Sequence, residues 1–145
     1  MKIAILTTKI QWFEPYAEEL SKKLGNIPIF NNHVDFDGNY DIIFILSYHK
    51  IIPQEALKKN NHNIVIHESL LPKGKGWAPL FWQILEGKSN ISFTMIEASD
   101  GVDSGDIYMQ KMLELAGNEL NEELRDKQAK LTIQMCLEFV NNYEQ

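Results

Sequence analysis

Two short runs, Lys2 to Thr7 and Asp41 to Ser47, are apolar throughout between their polar end residues, and this lack of alternation limits the fold more than any other feature. A strand with one face in water alternates between apolar and polar residues, whereas a strand buried on both faces does not. After the first run, Phe13, Ala17, Leu20 and Leu24 recur at helical spacing. Gly25 then stands where the end of such a helix favours a residue with positive φ. Ile27 to Phe30 predicts a second, shorter strand, and the polar, turn-rich stretch 31–40 a loop. Pro53 opens a short helix through Lys59, Asn63 to His67 reads as a fourth strand, and Pro79 to Glu86 starts another helix that Gly87 stops. Ile91 to Glu97 alternates more, which predicts a strand with one face less buried, and Asp106 to Leu113 is strand-like. Glu119 to Val140 places Leu120, Leu124, Leu131, Met135 and Phe139 near a 3.6 period, giving a long amphipathic helix.

Strands alternating with helices at this spacing predict an α/β chain: a Rossmann-like three-layer domain with a mostly parallel central sheet, a single domain over 1–145. Ligands of such sheets bind beyond the carboxyl ends of the strands. The segments to search are therefore Thr7 onward, Ser47 to Ile52, His67 onward and the stretch after Ile96. The first strand continues as Thr7-Thr8-Lys9-Ile10-Gln11, without the glycine pattern of a dinucleotide or nucleoside-triphosphate loop.

A net charge of −6 with no block of like charge suits phosphate backbones poorly, so no nucleic-acid partner is expected. The only cysteine, Cys136, sits in the amphipathic C-terminal pattern and reads as a small buried side chain. The N-terminal run is too short for a signal peptide or a membrane span, so a cytoplasmic, membrane-free protein is expected. The histidines His33, His49 and His62 lack metal-ligand spacing to one another or to Cys136, and no metal is expected.

Reactive groups concentrate in two segments, His67 to Trp77 and Ser99 to Asp106. A histidine at the carboxyl end of a central strand can donate a proton near neutral pH, and an acid from a nearby loop can orient it. Taken alone, His67 reads as readily as a core histidine bonded to a backbone carbonyl, and Asp103 as a turn aspartate. The loop Lys73-Gly74-Lys75-Gly76 is either a solvated turn or a clamp for phosphate or carboxylate, with Trp77 available to cover a ring.

Three linked segments resemble the formyltetrahydrofolate-dependent formyltransferase family. They are His67-Glu68-Ser69-Leu70-Leu71-Pro72, Gly76-Trp77-Ala78-Pro79-Leu80 and Gly101-Val102-Asp103-Ser104-Gly105-Asp106-Ile107. Ser47 to Pro53 is similar to that family's segment leading to an I-(I/L)-P turn, so the likeness runs from about residue 41 to the end. The resemblance implies the formyltransferase fold and 10-formyltetrahydrofolate as cofactor. It further implies that His67 stabilises the oxyanion formed at the formyl carbon, that Asp103 holds His67 and moves protons, and that the pterin lies against Tyr48, Ile51, Ile52, Gly101, Val102 and Asp103. Where the family has an asparagine two residues before the histidine, this chain has Val65. Asn63 would sit roughly 13 Å along the strand from His67, too far to replace it. Ser69, or a residue of the 7–11 loop, is the substitute donor expected; a slow enzyme or a non-catalytic binding module are the alternatives.

The likeness is strongest to sugar N-formyltransferases of bacterial nonulosonic (pseudaminic-type) acid pathways, on the wording Lys73-Gly74-Lys75-Gly76-Trp77-Ala78-Pro79-Leu80. It implies a nucleotide-linked amino-deoxy sugar as substrate, with Lys73 and Lys75 on the diphosphate and Trp77 stacked on a sugar or base. Methionyl-tRNA is less expected, because enzymes using it carry a further C-terminal domain and a basic surface. A formyltetrahydrofolate hydrolase, which normally carries an N-terminal regulatory domain, is a further rival. A homodimer is left open.

Overall fold

The computed structural model describes residues 1–9, 11–68, 90–98 and 105–143. In chain order these form β1 (Ile3–Leu6), α1 (Glu14–Lys23), β2 (Ile29–Phe30), β3 (Ile42–Ile45), α2 (Gln54–Leu57), β4 (His62–Glu68), β5 (Asn90–Glu97), β6 (Ile107–Glu114) and α3 (Asn121–Tyr143). The helix expected over 79–86 lies outside the described residues. No helix among those described is long and apolar enough to cross a membrane.

The six strands make one sheet in the order β2-β1-β3-β4-β5-β6. The first four are mutually parallel, whereas β5 and β6 run antiparallel to their neighbours. The parallel part places β1 between β2 and β3, the strand exchange typical of a doubly wound sheet. The antiparallel part changes one expectation. Because Ile64 pairs with Glu97, the segment after β5 leaves from the amino end of β4, where the Ala98 amide donates to the Asn63 carbonyl. Of the four segments expected at the carboxyl edge, three begin there and the fourth starts at the opposite edge.

Every residue of β1 and β3 is buried, as their continuous apolarity predicts. Alternate residues serve two different cores. Ile3, Ile5, Ile42, Phe44 and Ile64 face α1 and α3, meeting Phe13, Leu20, Ile133 and Met135. Ala4, Leu6, Ile43 and Ile45 face the other way, with Tyr40 and Leu57. Strand β5 departs from its expected alternation, since Phe93, Thr94, Met95 and Ile96 are all buried. It lies inside the sheet, and its pairing with β6 is irregular at Met95/Ile96. The stripe of α3 also starts later than expected: Leu120 precedes the helix and is 71% exposed. Cys136 is fully buried, and that burial pushes its thiol pKa up. Gly25, at φ +92, follows the last turn of α1, and the Asn26 amide reaches back to the Ser21 carbonyl.

Asn63 fixes the start of β4. Its Nδ2 donates to the Leu57 carbonyl at 2.8 Å and its Oδ1 accepts from Asn60 Nδ2 at 2.9 Å, while Asn60 Oδ1 accepts the Tyr40 amide. All of this is buried, so losing one partner strands the others without water. Asn63→Ala is expected to destabilise the fold by about 2–4 kcal/mol, measured by denaturant unfolding. A change below about 0.5 kcal/mol would show that the network is not structural.

Candidate active site at the carboxyl edge of the sheet

Strands β1, β3 and β4 all end at one edge, and the turns leaving them are tied together. The Thr8 amide donates to the Ser47 carbonyl at 3.3 Å, and the His49 amide donates to Thr8 Oγ1 at 3.2 Å. Asn31 Nδ2 holds the Thr7 carbonyl at 2.9 Å. Thr7 is fully buried, and its Oγ1 has no hydrogen-bond partner among the described residues. Ser47 turns the chain out of β3 with φ +51, a left-handed conformation uncommon outside glycine, asparagine and aspartate. Such strained backbone gathers at functional sites.

Tyr48, expected against the pterin, packs on the core side that contains Ile43 and Ile45. Its hydroxyl accepts the His33 amide at 3.0 Å and lies 2.7 Å from His33 Nδ1. Ile52 packs on the same side, while Ile51 is 93% exposed. The three residues expected together thus split: two pack against the core and one stands in solvent.

His67 lies one residue before the end of β4, half-buried and opposite Thr94 of β5. Alternation along β4 puts it on the same face as Val65, which packs against the core side of Ala4 and Leu6. Tyr48 and Ile52 lie on that side too. Val65 offers no donor, and Asn63 is fully engaged at the other end of the strand. Ser69, Lys73, Lys75, Trp77, Gly101, Val102 and Asp103 lie outside the described residues. Among those described, no group of three His, Cys, Asp or Glu side chains comes together to hold a metal.

A further polar side chain stands at this edge, on the other face of the sheet. Glu68 ends β4 on the opposite face from His67, the face of Ile64 and Ile66, and there it accepts a hydrogen bond from Gln128 Nε2 of α3. It lines a half-open cavity with Trp12, Ser47, Ile66, Gln128 and Thr132, holding about 280 Å³ with its mouth included. Burial raises the Glu68 pKa from 4.5 to about 7, and the Gln128 bond only partly counters it. The sequence signal was present: an acid where the strand's period calls for an apolar side chain. The sign of the linkage follows. Below pH 4.5 the carboxyl is neutral in both folded and unfolded chains; between 4.5 and about 7 only the unfolded chain releases the proton, so stability falls as pH rises through that window. The loss is on the order of 2–3 kcal/mol, and Glu68→Gln is expected to abolish it. An unchanged pH slope in that variant, followed by thermal unfolding, would disprove the assignment.

Residues 31–140 match the family model described as formyl transferase. Methionyl-tRNA formyltransferase of Ehrlichia ruminantium (strain Gardel) is 36% identical over 107 residues, covering 73% of this chain and 35% of the relative. The chain thus spans about a third of that relative's length. The structure of methionyl-tRNA formyltransferase from Clostridium thermocellum superposes over 99% of this chain and 66% of its own, with TM-score 0.81 and 23% identity. A candidate sugar N-formyltransferase from Mycobacterium tuberculosis superposes over 97% of this chain and 66% of its own, with TM-score 0.70 and 18% identity. At those identities the two structures speak for the fold.

Proposed function

Because this chain belongs to the formyl transferase family, we propose that it transfers the formyl group of 10-formyltetrahydrofolate to an amine. The observation that carries this reading is His67 at the end of β4, on the sheet face that also bears Tyr48 and Ile52. In this reading the amine attacks the formyl carbon, and charge gathers on the carbonyl oxygen. His67 donates to that oxygen, and Asp103 holds the imidazole and moves the proton from the attacking nitrogen toward the leaving folate nitrogen. With Val65 unable to donate, Ser69 is the second donor. Ile52 and the Tyr48 ring supply an apolar wall for the pterin, completed by the backbone of Gly101 and Val102; Ile51, standing in solvent, is left out of that wall.

Two acceptors are supported by different observations. Methionyl-tRNA is favoured by the similarity to formyltransferases named for that substrate. A nucleotide-linked amino sugar is favoured by the net charge of −6, with Lys73 and Lys75 on its diphosphate and Trp77 on its ring. Incubating the chain with 10-formyltetrahydrofolate and each acceptor in turn, and following release of tetrahydrofolate, separates them. Release that depends on one acceptor names it. Release without any acceptor is hydrolysis, and no release under any condition leaves a folate-binding module without chemistry.

A further inference from the structure

We propose that the cavity at the end of β4 receives an alkylammonium group, held by the Glu68 carboxylate beside the Trp12 indole. Three observations on that cavity lead there. Glu68 Oε1 takes the Gln128 bond, and among the described residues Oε2 has no partner, although the side chain lines a half-open space. An ionised carboxylate only accepts hydrogen bonds, so an occupant of that space must bring N–H or O–H groups. Burial also penalises the carboxylate's charge, and among the described residues no cation offsets it. A neutral hydroxyl would supply a hydrogen bond and leave the charge uncompensated; an ammonium supplies both. Trp12 and Phe13 add an aromatic side to a lining otherwise aliphatic and polar, and an aromatic ring attracts a cation.

Among the described residues that line the cavity, Glu68 is the titrating element. Trp12 and Phe13 precede α1, Leu46 and Ser47 follow β3, and Gln128 and Thr132 come from α3; none of them ionises near neutrality. Arg125 of α3 lies over the Trp12 ring, 5.5 Å from its centre. Calling the occupant the amine of the acceptor rests on the formyl-transfer reading. The cavity opens at the same sheet edge as His67, one residue along β4 and on the other face. An acceptor amine arriving in its charged form would be held there beside the site that uses it.

The test uses the full chain, ethanolamine as a charged probe and ethylene glycol as its neutral twin, with the Trp12 indole N–H signal read by NMR and assigned through Trp12→Phe. Ethanolamine is expected to shift that signal saturably, with an affinity about tenfold higher at pH 8 than at pH 6 as Glu68 ionises. Glu68→Gln should lose the response and still bind 5-formyltetrahydrofolate. An equal response in Glu68→Gln, an equal response to ethylene glycol, or no response in the unaltered chain would overturn the proposal. A Glu68-dependent ammonium response in a chain that binds no folate would keep the site and remove the formyl-transfer reading.

Discussion

Replacing His67 with asparagine is expected to lower formyl transfer by about two to three orders of magnitude, the usual cost of one well-aimed oxyanion donor. The side chain is half-buried near the end of β4, and the backbone there is held by pairing with Thr94, so the sheet should survive. Unfolding should shift by no more than about 1 kcal/mol. In this chain only Ser69 is proposed to share the oxyanion with His67. The neighbouring position that could have shared the oxyanion holds Val65, packed into the core, and Asn63 is committed to Leu57 and Asn60. Asp103→Ala should show a comparable loss, with the pH dependence of the rate altered as well. Transfer at a near-wild-type rate in His67→Asn, measured by single-turnover kinetics, would remove His67 from the mechanism.

The second large effect is expected from Gly105→Ala. A methyl group at that position would lie 1.8 Å from the Glu97 carbonyl oxygen and 2.8 Å from its carbon. Both are backbone atoms, so no side chain can turn aside to make room. Glu97 is itself pinned: its amide donates to the Asp106 carbonyl, and its carboxylate accepts the Asn63 amide at 2.6 Å and the Tyr108 hydroxyl at 2.8 Å. The clash must therefore separate the end of β5 from the start of β6. A cost of roughly 3 kcal/mol or more is expected, at the upper end for overpacking. In a chain of this size that lowers the melting temperature by about 6–12 °C. Activity should fall with it, since Gly105 follows by two residues Asp103, the residue proposed to hold His67. A melting temperature within about 1 °C of the original would show that the two backbones are not in contact.

How much of this was legible beforehand differs between elements for physical reasons. The continuous apolarity of Lys2 to Thr7 and Asp41 to Ser47 has one interpretation, burial on both faces, and β1 and β3 have it. Gly25 marked the end of α1 because a helix end favours positive φ. Strand direction was less visible. The nine residues between β5 and β6 are too few for a parallel crossover, which needs a dozen or more, so that pair could have been read as antiparallel. The twenty-one residues between β4 and β5 allow either direction, and no length argument decides them. In the site, the position of His67 at a strand end was readable from the chain. The engagement of Asn63 with Leu57 and Asn60 was not, because it depends on how α2 packs beside β4. Glu68 was passed over because its neighbours in the chain carried the motif. Its partner Gln128 comes from sixty residues away.

The central claim is that the carboxyl edge of this sheet binds a formylated folate. The most direct test is a calorimetric titration of the chain with 5-formyltetrahydrofolate, a stable analogue of the cofactor. Saturable binding of one molecule per chain, weakened when Tyr48 is replaced by alanine, is the result predicted. No binding up to millimolar analogue, from a chain with an intact unfolding transition, would contradict the account.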